Sequence, residues 1–351
     1  MKTRVLRVDS RCPDVGLIRE VAGIIKRGGL VAFPTETVYG LGADALDADA
    51  VLAVFEAKKR PLDNPPIVHI GGASDVRRLV VEVPSKARVL MRRFWPGPLT
   101  LIFKRSKVVP DVTVAGLDTV AVRMPRHEVA LGLIRESGCP IAAPSANLAG
   151  RPSPTSAMHV LCDLDGRVDA VLDGGSTLVG VESTVLDLTV DPPEVLRPGG
   201  TCVESLRLVL GRVAVSAVAD ADHALPVRVA RSPGLKYRHY APDAEVVVVE
   251  GELGRVVDKI KKLVSSHRQK ACRVGVLCTD ESFGFYEADV VKSVGSRGDP
   301  SDIARNLFRL LREFDSDGVD VVLAEGLPVD GLGLAVMNRL RKAAGYNIVK
   351  V

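Results

Sequence analysis

With 351 residues, 46% hydrophobic and 26% charged, the chain is long enough for two domains and apolar enough to bury a core in each, which excludes large-scale disorder. Its 47 Lys and Arg against 43 Asp and Glu leave a formal charge of +4, compatible with phosphate-bearing partners and far from the balance of a nucleic-acid coat protein. No run approaches the ~20 apolar residues that cross a bilayer and the N-terminus lacks an uninterrupted signal-peptide core, so a cytoplasmic protein without membrane contact is expected.

In chain order, residues 4–8 alternate like an edge strand, and 15–26 repeat apolar residues at helical spacing until Gly28 and Gly29 end the pattern. Residues 30–33 form a short buried strand that runs into PTETVYGLG (34–42), expected as a loop at a strand exit. Residues 49–59 read as a helix that carries Lys58 and Arg60 to its C-terminal end, where Pro61, Pro65 and Pro66 stop it and stiffen KKRPLDNPPIVH (58–69). Residues 67–70 are the next strand, with His69 on it. An amphipathic helix over 86–94 is closed by WPGPLT (95–100), whose single Trp is expected in the core.

A strand at 101–104 follows, then LDTVAVRMPRH (117–127) with Thr119 and Arg123 at loop-facing positions, and a helix over 128–137. The apolar run 141–143 opens the SAN loop (145–147), and RPSPT (151–155) is stiffened by proline. Strands are predicted at 168–172 and 185–188, the second entered through VESTV (181–185); LRPGG (196–200) sets Arg197 beside a glycine turn, and a helix over 203–210 closes the first domain.

Residues 213–243 have weak periodicity and read as a linker, ending in SPGLKYRHYAP (232–242), which is rich in aromatic and basic groups for a spacer. From 244 to 351 strands and helices alternate, which predicts a small parallel three-layer domain. The expected division is therefore 1–212, a linker over 213–243, and 244–351.

The chemistry concentrates in four loops at strand ends, where open α/β sheets collect ligands. Neither GxxxxGK[ST] nor GxGxxG occurs, so side chains must replace a glycine cradle for any nucleotide. Lys58, Arg60 and Arg123 are the candidates to neutralise phosphate charge. Taken alone, Lys58 and Arg60 are an ordinary basic helix end favourable to the macrodipole, and Ser145 and Ser183 are turn formers. His69 is either a satisfied strand histidine or a donor to a ligand carboxylate. No spacing favours a Ser or Cys nucleophile, so catalysis would rest on positioning and charge stabilisation. Six cysteines contain no CxxC pair, so no structural metal is expected and most are read as buried thiols.

Taken together, PTETVYGLG, KKRPLDNPPIVHI, WPGPLT, DTVAVRMP, APSANLAGRPSPT, VESTVLDL, LRPGG and SPGLKYRHYAP resemble the archaeal two-domain form of the threonylcarbamoyl-AMP synthase family, over essentially the full chain. The resemblance implies a YrdC-type α/β domain built on a twisted, curved sheet with a concave cavity. It also implies a linker that covers the active site and a small Rossmann-like C-terminal domain. The implied reaction turns L-threonine, bicarbonate and ATP into L-threonylcarbamoyl-AMP and pyrophosphate, a nucleotidyl transfer that feeds threonylcarbamoyladenosine modification of tRNA.

Carried over by motif, Lys58 and Arg60 are catalytic and bind ATP together with Asn64, Thr119, Ser145, Asn147, Ser153, Arg197 and Tyr237. Thr35 or Thr37, His69, Arg123 and Ser183 match L-threonine positions, and Tyr237, His239 and Tyr240 form a lid. Mg2+ would be held mainly by phosphates, with no protein ligand. A downstream tRNA threonylcarbamoyl-transfer complex is the implied partner, with a weak tRNA or RNA contact in addition. Where the family shows Pro-Leu after the asparagine, this chain has Pro65-Pro66, which stiffens the loop. Two competing classes are an RNA-binding module, disfavoured by 4% aromatics without a stacking array, and a carbamoyltransferase, whose accessory regions are not seen.

Overall fold

A computed structural model describes residues 2–225, 231 and 239–351, which divide into two units by their contacts. The first takes in residues 2–149, 153–219 and Arg231. Its strands are β1 (Arg4–Arg7), β2 (Val31–Phe33), β3 (Gly40–Asp44), β4 (Val68–His69), β5 (Leu99–Lys104), β6 (Thr119–Arg123), β7 (Ile141–Ala142), β8 (Ala170–Asp173), β9 (Thr184–Asp187), β10 (Glu194–Arg197) and β11 (Ala214–Val215). Its helices are α1 (Val15–Lys26), α2 (Ala48–Lys58), α3 (Val76–Leu79), α4 (Ser85–Phe94), α5 (Glu128–Ser137), α6 (Ala157–Leu164), α7 (Val203–Leu210) and α8 (Ala217–Asp220).

Side-chain caps start three of these helices: Asp14 accepts from Leu17 N, Asp47 from Asp49 N and Ala50 N, and Ser156 from His159 N. The strands form one mixed sheet in the order β1-β8-β2-β3-β7-β4-β6-β5-β9-β10-β11. Alternation along β2 sends Val31 and Phe33 to the face covered by α1 and α5, where they meet Ile18, Val21, Ile25 and Leu133. Ala32 goes to the other face, against Val54 of α2 and Val160 and Leu164 of α6. Ile67, Ile102, Ala121, Val185 and Leu196 make a smaller apolar cluster around β4, β6, β5, β9 and β10.

Three features differ from the sequence expectation. The GLG of PTETVYGLG is a buried strand, β3, paired antiparallel with β2. A Cβ on Gly42 would lie 2.6 Å from Ile141 and 2.7 Å from Phe33, so glycine is what lets the strand pass beneath that ring. The expected linker opens with structure: Ala214 and Val215 pair in parallel with Glu194 and Val195. Of the six free cysteines only Cys278 is fully buried, while Cys12 and Cys162 are exposed. Trp95 is buried as expected, its indole donating to Leu99 O at 2.7 Å.

The second unit takes in residues 150–152, 220–225 and 239–351. Its strands are β12 (Glu245–Glu250), β13 (Val274–Cys278), β14 (Val290–Ser293), β15 (Val321–Glu325) and β16 (Ile348–Lys350), with helices α9 (Leu253–Gln269), α10 (Pro300–Ser316) and α11 (Gly333–Ala343). All pairings are parallel, in the order β14-β13-β15-β12-β16. Parallel strands need crossovers, and here α9, α10 and α11 supply three of them, each joining two strands with one other strand between them. Val256, Ile260 and Val264 of α9 pack on Val247, Val249, Val274, Val276 and Leu323. The opposite face receives α10: a Cβ on Gly275, out of phase with Val274 and Val276, would lie 2.8 Å from Phe314. This is the layered, Rossmann-like domain that the alternating rhythm predicts.

Candidate functional site

Side chains of residues paired across neighbouring strands project from the same face of a sheet. His69 of β4 pairs with Arg123 of β6, and Arg123, Ala121 and Thr119 share a face by alternation. Ile102 pairs with Ala121 and Lys104 with Thr119; Thr100 pairs with Val185 of β9, and Val185 with Arg197 of β10. One face of five strands therefore carries His69, Arg123, Thr119, Thr100 and Arg197 around the apolar Ile102, Ala121 and Val185. Thr119 and Arg123 stand four residues apart, about 13 Å along the strand.

Beside this face stands the SAN loop. α2 ends at Lys58, and Lys59 at φ 52° turns the chain away. The Lys58 ammonium, 1% exposed, donates to the carbonyls of Ser145 and Asn147, so this buried charge holds the loop's backbone. The isolated bridge between Gly40 and Ser145, and the bond from Ala146 N to Tyr39 O at 2.8 Å, tie the loop to PTETVYGLG. Ser145 Oγ donates to Asn147 Oδ1 at 2.6 Å. Arg60 Nε donates to Asn64 O at 3.0 Å, which curls the proline-rich loop back under the helix end. Asn64 is 1% exposed, and its Oδ1 accepts no hydrogen bond among the described residues.

Thr35 and Thr37 are both buried, and their hydroxyls meet at 2.8 Å, with Thr35 Oγ1 also facing Val38 O at 2.7 Å. Between them Glu36 lies 2.7 Å from Arg123, whose Nε donates to Gly97 O at 3.2 Å. His69 is 3% exposed, stands edge-on to Phe33, and faces Ile67 O through Nδ1 at 3.1 Å. Burial, and then the Arg123 charge, push its pKa down to about 3, so the ring is neutral at physiological pH. A neutral ring whose Nδ1 proton serves its own backbone does not offer that proton to a ligand carboxylate.

Ser183 shares a hydrogen bond with Thr100 at 2.8 Å, and Arg197 donates to Ser183 O at 3.0 Å and to its hydroxyl at 3.2 Å. Gly199 makes this approach feasible: a Cβ there would lie 2.3 Å from Glu182 O. Ser153 donates to Glu182 at 2.6 Å. The structure thus links Lys58 with Ser145 and Asn147, Arg60 with Asn64, Thr35 with Thr37, and Ser183 with Arg197. Thr119 joins the others only through its face of β6. His239 and Tyr240 belong to the second unit, where the Tyr240 ring, 5% exposed, packs 5.2 Å from Phe308. Tyr237 lies outside the described residues.

Sequence reasoning missed Glu36, Glu182 and Thr100. The signal for Glu36 was its place between two threonines already singled out; a lone acid in VEST gave less. Among the described residues no group of three or more His, Cys, Asp or Glu side chains could hold a metal ion, and no helix is long and apolar enough to cross a membrane.

Comparison with known proteins bears on this geometry. Residues 23–199 match the family described as "Telomere recombination", and 202–345 match "Threonylcarbamoyl-AMP synthase, C-terminal domain". The threonylcarbamoyl-AMP synthase of Pyrococcus abyssi is 54% identical over 95% of this chain and 96% of its own length. That of Bacillus subtilis is 50% identical over 95% of this chain and 94% of its own. The crystal structure of P. abyssi Sua5 complexed with L-threonine superposes with a TM-score of 0.94 at 52% identity, covering 99% of this chain and all of that one.

Proposed function

The chain belongs to the threonylcarbamoyl-AMP synthase family, and from that premise we propose how its first unit carries the reaction. The protein forms L-threonylcarbamoyl-AMP from L-threonine, bicarbonate and ATP, for threonylcarbamoyladenosine modification of tRNA. The observation that carries the route is the single sheet face with His69, Arg123, Thr119 and Arg197 beside a SAN loop held by Lys58. It brings cationic and neutral donors together over an apolar floor.

In this reading the reaction is a nucleotidyl transfer. The threonine ammonium first loses a proton, and the amine is carboxylated by bicarbonate with loss of water; a carbamate oxygen then bonds to the α-phosphorus as the bond to pyrophosphate breaks. Lys58 and Arg60 offset the charge that develops on the phosphates. Asn64, Thr119, Ser145, Asn147, Ser153 and Arg197, with Tyr237, hold the nucleotide, and the orphaned Asn64 Oδ1 is suited to accept from an adenine amino group. Thr35 or Thr37, Arg123 and Ser183 hold the amino acid, with His69 as a neutral wall.

The acidic groups nearby, Glu36 and Glu182, are buried against Arg123 and Ser153, so the donor set suits Mg2+ bound to phosphate oxygens rather than to side chains. Bound there, Mg2+ would supply Lewis-acid stabilisation of the phosphates.

The catalytic domain is then 1–212, residues 213–243 are a linker over the site, and 244–351 are an accessory domain. Arg231 supports an anchored linker, since it pairs with Asp187 at 2.8 Å and Glu194 at 2.7 Å. The buried Tyr240 fits a fixed end to the lid better than a moving part. The setting is cytoplasmic, the product goes to a tRNA threonylcarbamoyl-transfer complex, and direct tRNA contact is weak.

The test is mass-spectrometric detection of an AMP adduct, with pyrophosphate release, from ATP, bicarbonate and each amino acid in turn. A threonine-selective, bicarbonate-dependent adduct that disappears in Lys58→Ala and Arg60→Ala is the expected result. An intact, ATP-binding protein that forms no adduct would overturn the reading.

A further inference from the structure

Residues 76–107 hold nine Lys and Arg against one acid, Glu82, in a chain whose whole net charge is +4. We infer that the groove between α3 and α4, which carries three of these arginines, docks an acidic amphipathic helix of a partner protein.

The groove encloses about 890 Å³. Its floor is apolar, made by Val76, Val80, Met91 and Trp95, each no more than 9% exposed. Beside them Val81 is 69% exposed, an aliphatic side chain left in water on the groove wall. Arg77 of α3 and Arg88 and Arg92 of α4 complete the lining, and all three are exposed. Arg88 and Arg92 stand four residues apart on one helix, so both guanidinium groups rise from the same face of α4.

A merely solvated basic face differs in two respects. Elsewhere in this chain surface arginines find acids, as Arg4 does at Glu20, Arg19 at Glu136, Arg305 at Asp302 and Arg309 at Glu313. Among the described residues Arg77, Arg88 and Arg92 form no ion pair, not even with Glu82, the one acid on the groove wall. Solvation also needs no concavity and no apolar floor.

The same features choose a protein over a nucleic acid. Single strands are held by a basic track with exposed rings for stacking, and the one aromatic residue in this groove, Trp95, is 8% exposed. Arginine without lysine around an apolar centre is the composition of protein interfaces. An amphipathic helix lays its apolar stripe into such a groove, and acids flanking that stripe meet the three guanidinium groups. Trp95 leads within two residues to Gly97, whose carbonyl accepts from Arg123 at 3.2 Å, so a docked helix lies beside the site.

Trp95 is the single tryptophan of the chain, so its emission reports on the groove alone. The probe is a tryptophan-free helix of roughly four turns, leucine along one stripe and glutamate elsewhere, titrated against the full chain. Saturable anisotropy of the labelled peptide, with a shift in Trp95 emission on adding the unlabelled one, is the expected result. Arg88→Glu combined with Arg92→Glu should weaken binding about tenfold or more. Should that variant not fold, Val81→Asp carries the same expectation. No binding, binding that leaves Trp95 emission unchanged, or equal affinity in a folded variant would overturn the proposal. So would equal binding of a scrambled peptide of the same composition, which would reduce the groove to a patch of charge. A tRNA or an oligouridylate that binds where the peptide does not, and is lost in the same variant, would make the groove an RNA surface and overturn the protein partner.

Discussion

Two buried carboxylates, one in each unit, are treated by the chain in opposite ways. Glu325, 2% exposed at the end of β15, accepts from Thr279 N at 3.1 Å, from Thr279 Oγ1 at 3.0 Å and from the Tyr286 hydroxyl at 2.6 Å, with Arg297 at 3.5 Å. Glu36, 4% exposed, has Arg123 beside it and, among the described residues, no aligned donor. Among the described residues the same shortfall recurs in the first unit at Asn64 Oδ1, His127 Nδ1 and Thr177 Oγ1, and Asp317 Oδ2 of the second unit, with Lys292 2.9 Å away, resembles Glu36. Desolvating a polar group is unfavourable unless partners replace water. Where the chain supplies those partners the group holds the fold; where it does not, the group retains capacity for a further partner.

The largest expected effect comes from Lys58, which belongs to both classes. Its ammonium fixes the SAN backbone and, in the proposed reaction, meets the phosphates. Lys58→Met should lower pyrophosphate release by roughly 10²–10³-fold. A rate within threefold of wild type would mean that Lys58 only holds the loop. Next is Glu325→Ala, which strips the partners from Thr279, Tyr286 and Arg297. Removing one member of a buried charged network typically lowers stability by about 3–5 kcal/mol. Urea unfolding should show that loss in one transition of a two-unit chain, while L-threonine affinity stays as in wild type. Glu36→Gln should show the reverse pattern, and similar patterns in the two variants would dissolve the distinction.

The alternation of strands and helices after residue 244 and the helix ends before each polar loop were legible in the sequence, because period and punctuation are local. β3 was not. Its glycines read as loop, and only Phe33 and Ile141 packed over them explain why a strand there must lack side chains. Lys58, Arg60, Ser145 and Asn147 were legible as a set through motif resemblance, but not that Lys58 reaches carbonyls 87 and 89 residues away in sequence. Glu36 was hidden for a related reason. An acid between threonines looks solvated until β6 sets Arg123 against it. For the same cause the sequence left His69 open between a satisfied strand histidine and a donor to a ligand carboxylate, and the Ile67 carbonyl 3.1 Å from its Nδ1 favours the first.

A smaller effect follows from His69 and tests the first unit's dry setting. Burial, then Arg123, lowers its folded pKa to about 3 from an ordinary 6.5. Between those values the unfolded chain binds a proton that the folded chain does not, so stability rises with pH through this window and is lost as pH falls. One proton's difference amounts to about 2 kcal/mol between pH 6.5 and 5. His69→Asn should flatten that part of the stability profile. An unchanged slope would mean that the ring titrates normally and that the pocket is wet.

The smallest effect separates a saturated network from a set of independent bonds. Burial first, and then its bond to Glu325, raise the Tyr286 phenol pKa, so the hydroxyl stays protonated and donates. Tyr286→Phe removes one of four donors to Glu325, leaving both Thr279 bonds and Arg297 in place, and should lower stability by about 1–2 kcal/mol. If the carboxylate is what that hydroxyl serves, the same substitution made on top of Glu325→Ala should add little, because its partner is already gone. A double-mutant cycle read from urea unfolding measures the coupling, expected at roughly 1 kcal/mol or more for groups in one network. Additive losses would mean that Tyr286 contributes by packing alone. Glu325 would then rest on Thr279 and Arg297, and its contrast with Glu36 would narrow to the difference between a well-aligned cation and a poorly aligned one.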